Sequence, residues 1–177
     1  MAMIKKLLKA AFVCPHFILM LLGGISALAL AAALVSQYAF GMHPCELCIY
    51  QRIPYTVVIV LAVIGMMAVK KAGKLYGAYN IFLSAVAFLI NSGIAFYHVG
   101  VEQHWWASGC TIDLKALQSV DDLQAAIMNA PKVSCDQIPF ELFGISMAGY
   151  NVILCGFLGV NALIATVTVL SHKSVRK

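Results

Sequence analysis

Four long apolar segments, almost free of charge, limit what this chain can fold into. Residues 17–40 form the clearest one, because none of these positions carries a charged side chain. As a helix rising about 1.5 Å per residue, the segment is about 36 Å long, enough to cross a hydrocarbon core of about 30 Å. Similar segments cover residues 53–69, 75–97 and 144–170, and we expect the membrane-embedded part of the last one to be 147–170.

Apolar residues follow one another along each segment instead of alternating with polar ones. Backbone polar groups in hydrocarbon must be satisfied within a helix or a closed barrel, and barrel strands alternate. With 62% apolar and 11% charged residues, the chain has too few polar groups to solvate an ordinary globule. The sequence therefore predicts an all-α integral membrane four-helix bundle, formed as one domain by residues 1–177.

Positive and negative charges occupy different connections between these segments. Nine of the twelve Lys and Arg residues precede the first segment, separate the second from the third, or follow the fourth. All seven acidic residues fall in the other two connections. Because Lys and Arg accumulate in short cytoplasmic loops, we expect both termini in the cytoplasm and the first and third connections outside. The net charge of +5 then reflects topology and predicts no nucleic-acid partner.

The N-terminus also has features of a signal peptide, because basic residues precede an apolar run that ends at Ala31-Ala32-Ala33. Such a peptide has an apolar region of only about 7–15 residues. The first apolar segment is much longer, so a retained membrane span is the preferred interpretation and cleavage near Leu34 the alternative.

Four of the six cysteines lie in the two expected external connections, Cys45 and Cys48 in the first and Cys110 and Cys135 in the second. A bacterial periplasm or an equivalent compartment permits disulfides. Four thiols allow three pairings, and the sequence alone does not choose among them. The two local pairs are the simplest arrangement, and a structural zinc site with four thiolate ligands is the alternative.

The other two cysteines, Cys14 and Cys155, are predicted to be structural. Cys14 lies at the cytoplasmic edge of the first segment, whereas Cys155 lies about 22 Å of helix rise from that side. A disulfide requires Cα atoms within about 7 Å. The two thiols are therefore not expected to pair, and a buried cysteine behaves as a small hydrophobic residue.

The spacing Cys45-x-x-Cys48 suits a dithiol that is oxidised and reduced. If a helix begins at Cys48, Arg52 lies four residues later on the same face. A cation and a helix N-terminus both favour the thiolate, the reactive form of cysteine, whereas Glu46 acts in the opposite direction. The alternative role for Arg52 is an anchor to lipid phosphate.

The electron acceptor of such a dithiol leaves no motif in this sequence. A Gly-rich dinucleotide fingerprint and a haem ligand pair are both missing from it. A quinone diffuses in the bilayer and needs no such motif. Its ring could lie beside Cys48 at the membrane surface, with Arg52 stabilising negative charge on its oxygen.

The second external connection, residues 98–143, is long for a link between helices. Within residues 114–127 apolar side chains recur at helical spacing, and this pattern predicts a short amphipathic helix along the membrane face. A surface helix packed on the connection itself is the alternative. Tyr97, Trp105 and Trp106 are predicted to be interfacial anchors.

Four motifs are more specific together than any one of them alone. They are Pro44-Cys45-x-x-Cys48-Ile49-Tyr50-x-Arg52, Tyr97-His98, the pair Cys110 and Cys135, and Gly144-x-x-Met147-x-x-Tyr150. With these motifs and four spans with cytoplasmic termini, the chain resembles the DsbB family of disulfide bond formation proteins, including its DsbI relatives, over nearly its whole length.

The resemblance implies a relay of two disulfides between a protein partner and a quinone. A reduced, thioredoxin-like DsbA partner in the periplasm would attack the Cys110–Cys135 disulfide at Cys110. The freed Cys135 would attack the Cys45–Cys48 pair. Cys48 would then be the thiolate that faces ubiquinone or menaquinone, which accepts two electrons. A relay from DsbA through DsbB to quinone is what keeps the bacterial periplasm oxidising.

The resemblance also implies which residues line the quinone and where the protein lies. Arg52 would position the quinone and stabilise its reduced form, with His98, Met147 and Tyr150 as further lining residues. His104 competes with His98 for this role, and packing is the alternative for Met147 and Tyr150. The expected location is the bacterial inner membrane, with the redox cysteines in the periplasm and no bound metal.

Two other functions use the same features. A transmembrane conduit for thiol reductant would need cysteines that communicate across the membrane, and the different depths of Cys14 and Cys155 argue against it. A disulfide-braced membrane scaffold would have disulfides that resist reduction and would not depend on quinone. A VKOR-like enzyme also oxidises thiols with a quinone, but the short cysteine pair between the first two spans resembles DsbB instead.

Overall fold

The computed structural model describes residues 14–106, 119, 124, 134–138 and 140–171. In chain order, these residues form the helices and strands α1 (Pro15–Tyr38), α2 (Glu46–Tyr50), α3 (Arg52–Glu102), β1 (Glu141–Leu142), β2 (Ile145–Ser146) and α4 (Met147–Ser171). The predicted amphipathic helix lies outside the described residues apart from Ser119 and Gln124, and it stays a prediction.

The described part of the chain contains four helices long and apolar enough to cross a membrane. They are span 1 (Pro15–Tyr38), span 2 (Glu46–Val69), span 3 (Lys71–Glu102) and span 4 (Met147–Ser171). The prediction of an all-α membrane bundle is therefore confirmed, whereas its organisation as a single domain over the whole chain stays a prediction.

The long helix α3 contains most of span 2 and all of span 3, and it is kinked at Gly73, near the start of span 3. The backbone of Gly73 has φ of 82° and ψ of −176°, which is not helical. Glycine adopts such a positive φ without the steric cost that a Cβ would add. The break falls among the lysines of the predicted cytoplasmic connection, and it lets the two apolar spans follow each other with almost no loop.

Both outer ends of this helical hairpin extend beyond the predicted apolar windows. Span 2 begins at Glu46 and span 3 continues to Glu102, whereas the hydropathy pattern predicted 53–69 and 75–97. Apolar windows end at the first polar side chains, but here the polar residues Gln51, His98 and Glu102 stay helical or at a helix junction and are buried. Their burial is possible because they find partners inside the protein.

Spans 1 and 4 both pack on α3 and hardly touch each other. The core between them contains fully buried apolar side chains, among them Leu19, Val58, Ile81 and Phe88. Apolar side chains also cover the outside, as expected of a surface that faces lipid. Three polar residues of span 3, Asn80, Ser84 and Asn91, are also buried, as expected because polar side chains in a membrane helix face neighbouring helices.

A two-stranded antiparallel hairpin precedes span 4. Glu141 pairs with Ser146 and Leu142 with Ile145, while Phe143 and Gly144 at the turn have positive φ values of 52° and 76°. Two consecutive positive φ angles suit the tight turns that join antiparallel strands. Residues 144–146 of the last apolar segment are therefore not helical, because this turn delays the helix until Met147, the residue at which the membrane-embedded part was expected to begin.

Gly23 allows spans 1 and 2 to approach closely. A Cβ at Gly23 would lie 2.7 Å from the Ala62 Cβ, whereas one at Gly24 would have no atom within 4 Å. We expect Gly23→Ala to destabilise the bundle by about 1–3 kcal/mol through overpacking, measured as the midpoint of unfolding by SDS in mixed micelles. Gly24→Ala is the matched control, and equal stability of the two variants would contradict this account of the contact.

Candidate active site

Cys45 and Cys48 form the first turn of span 2. Cys45 is the N-cap of α2 with an extended backbone, and its sulfur accepts a hydrogen bond from the Cys48 backbone N–H at 3.3 Å. The Cys45 thiol donates a hydrogen bond to the Cys48 sulfur at 2.9 Å. The cap thus holds both sulfur atoms on one side of the turn, close enough for a small side-chain rotation to allow a disulfide.

Cys135, from the second external connection, lies against this turn. It is fully buried and belongs to one apolar cluster with Cys45, Leu47 and Val101, on which Cys48 also packs. Cys110 lies outside the described residues. The structure therefore brings together three of the four cysteines singled out in the sequence, although they belong to two different connections.

The electrostatics of the pair distinguish its two sulfur atoms. The hydrogen bond to Cys48, together with burial, raises the pKa of the Cys45 thiol from 9.0 to about 12. Cys45 therefore keeps its proton in the reduced pair and uses it to stabilise negative charge on the Cys48 sulfur. Of the two, Cys48 is the better placed to act as a thiolate.

His98 is buried beside the pair. Its Nε2 lies 3.6 Å from the Cys45 sulfur and 3.6 Å from Glu102 Oε1, one helical turn along span 3. Glu102 in turn accepts a hydrogen bond from the Ser146 hydroxyl at 2.5 Å. His104, the alternative to His98, lies beyond the end of α3 and is exposed. Of these two histidines, His98 is the one in contact with the cysteine pair.

Buried polar side chains continue from His98 towards the middle of the bundle. Gln51 Nε2 lies 2.9 Å from His98 Nδ1, and Asn151 Nδ2 donates to Gln51 Oε1 at 2.6 Å. Asn151 Oδ1 accepts hydrogen bonds from the Tyr55 hydroxyl and from the Cys155 thiol. This series of hydrogen-bonded side chains was not predicted from the sequence, although isolated polar residues in apolar spans are a known sign of function.

Cys14 and Cys155 lie far apart in the fold. Cys14 is exposed at the N-terminus of α1, whereas Cys155 is fully buried in span 4. The Cys155 sulfur also accepts a hydrogen bond from Asn91 Nδ2 at 3.3 Å. Cys155 thus contributes to the buried polar chain, a contact that its prediction as a purely apolar residue did not include.

The four residues predicted to line a quinone contact different parts of the protein. Arg52 donates to Gln37 Oε1 of span 1 at 2.7 Å, and His98 contacts the cysteine pair as described above. The Tyr150 hydroxyl donates to the Leu142 carbonyl of the hairpin at 3.0 Å, and Met147 is 42% exposed at the start of α4.

An apolar groove of about 530 Å³ lies between the outer parts of spans 2 and 3. Its walls include Leu47 and Tyr50 on one helix and Gly93, Ile94 and Tyr97 on the other. Leu47 also belongs to the buried cluster of Cys45 and Cys135, so the groove borders the cysteine pair. None of the four predicted quinone residues lines it.

The site also satisfies a distance criterion for binding a metal ion. The ligand atoms of Cys45, Cys48 and His98 all lie within 4.8 Å of one another. Sulfur and imidazole ligands of this kind suit zinc. A four-thiolate site would additionally need Cys110, which lies outside the described residues.

Comparison with known proteins agrees with the motifs. A family model described as "Disulfide bond formation protein DsbB" matches residues 15–165. The chain is 34% identical to Disulfide bond formation protein B of Burkholderia thailandensis over 141 residues, which are 77% of this chain and 80% of that protein. No solved structure matches the chain.

Two further relatives differ in how much of the chain they cover. Disulfide bond formation protein B of Neisseria meningitidis is 43% identical over 68 residues, 37% of this chain and 42% of that protein. An uncharacterized protein of Rickettsia prowazekii is 28% identical over 134 residues, 73% of this chain and 75% of that protein. From the family match, the spans and the buried cysteines, the chain belongs to the DsbB family and is a multi-pass membrane oxidoreductase of disulfide bond formation.

Proposed function

We propose that this protein is a protein-dithiol:quinone oxidoreductase. It reoxidises a DsbA-like, thioredoxin-fold protein of the periplasm and passes two electrons to ubiquinone or menaquinone in the membrane. The burial of Cys135 against Cys45 and Cys48 is the observation that carries the proposal. A relay needs the sulfur atom that arrives from the second connection to reach the short pair, and a shared cluster provides that contact.

The first half of the relay transfers the oxidising equivalents outward. A thiolate of the partner attacks Cys110 in the Cys110–Cys135 disulfide, which forms a mixed disulfide and releases Cys135 as a thiolate. Cys135 then attacks Cys45, so that a Cys45–Cys135 bond forms, the Cys45–Cys48 bond breaks and the electron pair stays on Cys48. The second thiol of the partner resolves the mixed disulfide, which oxidises the partner and releases Cys110 as a thiolate.

The second half restores both disulfides. Cys110 attacks Cys135, the Cys110–Cys135 bond re-forms and Cys45 leaves as a thiolate. Cys45 and Cys48 then give up two electrons and become a disulfide again. A quinone, when bound, accepts these two electrons and two protons. The hydrogen bond from Cys45 to Cys48 supports the assignment of Cys48 as the sulfur that faces the acceptor.

Two features of the outer ends of the helices suit a quinone ring. The apolar groove beside Leu47 and Tyr50 has aromatic and aliphatic walls, and Arg52 supplies a cation four residues after Cys48. Arg52, His98, Met147 and Tyr150 remain the proposed lining residues. The unequal distribution of charge supports an inner-membrane location with cytoplasmic termini and periplasmic cysteines.

A reconstituted assay tests this function. Purified protein is mixed with a reduced DsbA-like partner and a soluble quinone analogue, and quinone reduction is followed together with the partner's disulfide content. We expect one quinone reduced for each partner oxidised, and a mixed disulfide between the partner and Cys110 after an acid quench. Partner oxidation that proceeds equally well without quinone would contradict the proposal.

Replacement of Arg52 by alanine tests the proposed quinone contact. We expect the apparent quinone KM to rise about 10-fold, because a hydrogen bond to a charged group is lost, while Arg52→Lys keeps the charge and loses less. The measurement is initial rate against quinone concentration. Gly93→Leu, which narrows the groove, tests the groove in the same assay. An unchanged quinone KM in Arg52→Ala would contradict the contact with Arg52, and an increase in KM in Gly93→Leu alone would assign the quinone to the groove without Arg52.

Zinc binding is the second candidate, because three ligand atoms already lie within 4.8 Å of one another. Metal analysis of protein purified under reducing conditions separates the two functions. One zinc per chain, combined with no quinone reduction in the assay above, would favour a structural metal site.

A further inference from the structure

The hydrogen-bonded chain beneath the cysteine pair determines which nitrogen of His98 carries a proton. The hydrogen-bond partners of an imidazole ring show which of its nitrogens carries the proton, and those of a side-chain amide show which atom is the oxygen. Here the hydrogen-bonded side chains are Tyr55, Cys155, Asn151 and Gln51, all within the helical bundle.

The first step concerns the side-chain amide of Asn151. Its Oδ1 accepts hydrogen bonds from the Tyr55 hydroxyl and, at 3.3 Å, from the Cys155 thiol. Both of these groups have a proton to donate. With the oxygen on that side, Asn151 Nδ2 points at Gln51 and donates to Gln51 Oε1 at 2.6 Å.

The second step carries this orientation to the histidine ring. Because Gln51 Oε1 faces Asn151, the Gln51 Nε2 faces His98 Nδ1 at 2.9 Å. An amide NH₂ group only donates, so Nδ1 must be the acceptor. A neutral imidazole has one N–H, and in His98 it is therefore on Nε2.

The third step identifies the acceptor of this N–H. Nε2 lies 3.6 Å from both the Cys45 sulfur and Glu102 Oε1. A distance of 3.6 Å exceeds the usual N–H···O range of about 2.7–3.2 Å, whereas the larger sulfur atom accepts a hydrogen bond at that distance. The Ser146 hydroxyl bonds the other carboxylate oxygen, Glu102 Oε2, and the Cys135 backbone also forms a hydrogen bond with the His98 ring. The Nε2–H of His98 therefore lies within reach of both the Cys45 sulfur and the Cys135 backbone, and the sulfur becomes the stronger acceptor when it is a thiolate.

We propose that Gln51 is a positioning residue which, held by Asn151, keeps His98 in the Nε2–H form so that the ring donates a hydrogen bond to Cys45 when that sulfur leaves as a thiolate. The role rests on the proposed function, because it concerns the step in which Cys110 attacks Cys135. In that step the Cys110–Cys135 bond forms, the Cys45–Cys135 bond breaks, and the electron pair goes to the Cys45 sulfur.

The surroundings of Cys45 explain why this step needs a donor. The titratable groups that face His98 are Cys45, Cys48, Cys135 and the acid Glu102. Cys48 already carries negative charge when Cys45 leaves, so two thiolates would lie side by side. The Cys48 backbone N–H, at 3.3 Å, provides one hydrogen bond to Cys45, and His98 provides the second. A stabilised leaving thiolate speeds disulfide exchange.

Nitrogen NMR of the histidine rings tests the tautomer directly. Reduced protein carrying ¹⁵N-histidine is measured in detergent micelles, and the His98 signals are assigned by their loss in His98→Asn. We expect one protonated nitrogen, Nε2, in the natural protein. In Gln51→Glu the carboxylate can only accept, so we expect Nδ1 to become protonated. Gln103→Glu, the same change at the exposed end of α3, should leave the spectrum unchanged.

Turnover of the same variants tests the catalytic consequence. We expect Gln51→Glu and Gln51→Met to lower kcat for partner oxidation by about 10- to 100-fold, the usual size of a hydrogen bond to a charged group, with little change in the quinone KM. Gln103→Glu should match the natural protein.

Each result has a separate meaning. A proton on Nδ1 in the natural protein overturns the tautomer assignment, and an unchanged spectrum in Gln51→Glu overturns the role of Gln51. If the spectrum changes while kcat does not, the hydrogen bond to Cys45 has no part in turnover. Absence of quinone-dependent turnover in the natural protein contradicts the proposed function but leaves the NMR result standing. Should Gln51→Glu fail to fold, the natural protein's spectrum and Gln51→Met still decide the question.

Discussion

Replacing Cys48 by serine is expected to abolish quinone reduction, with a fall in rate of more than about 10³-fold. This sulfur accepts the hydrogen bond of the Cys45 thiol at 2.9 Å and is the proposed donor of electrons to the quinone. A serine hydroxyl does not ionise near neutral pH and cannot form a disulfide. Loss of a catalytic nucleophile lowers the rate by at least about 10³-fold. The measurement is the rate of quinone reduction in the reconstituted assay.

Cys14→Ser is the matched control for that variant. Cys14 is exposed at the N-terminus of span 1, away from the cysteine pair, so the same chemical change there should leave the rate within about twofold. Quinone reduction that survives in Cys48→Ser would mean that another sulfur faces the acceptor, and Cys45 would be the first candidate.

Replacing Cys135 by serine is expected to separate the two halves of the relay. Oxidation of the DsbA-like partner should fall by more than about 10³-fold, because no sulfur remains to carry the exchange from Cys110 to Cys45. The Cys45–Cys48 pair is still complete, so a small dithiol such as dithiothreitol, which needs no relay, should still reduce quinone through it. Both rates are measured on the same preparation.

The contrast between the two reductants is what makes this variant informative. Cys135 packs on the pair, so a variant that only disturbed packing would lose both activities. Loss of the dithiothreitol-driven rate would therefore assign Cys135 a structural role at the pair, and full activity with the protein partner would exclude the two-disulfide relay.

The four membrane spans could be predicted from local runs of apolar residues. Each has enough consecutive apolar residues to cross a bilayer, and this requirement does not depend on the neighbouring helices. The helices of spans 2 and 3 continue beyond the predicted apolar windows, because a hydropathy window ends at polar residues such as Gln51, His98 and Glu102. Whether such a polar residue ends a helix or is buried inside it depends on the partners that other helices provide.

In the active site, too, the local features were predicted from the sequence and the contacts between distant residues were not. The spacing of Cys45 and Cys48 is local and identified a dithiol directly. The hairpin before span 4 was missed, since its short strands have no pattern strong enough to compete with the apolar run that follows. Gln51 and Asn151 were missed as well, because a single amide in an apolar segment does not indicate which residue it contacts.

The sequence by itself determined that this chain is a helical membrane protein with a cysteine pair between its first two spans, because segment length, hydropathy and short spacing are properties of neighbouring residues. Tertiary structure alone decided that Cys135 is buried against that pair, that His98 and not His104 contacts it, and that Asn151 orients Gln51. These contacts join residues far apart in the chain. Their existence depends on how the helices pack, which no local pattern records.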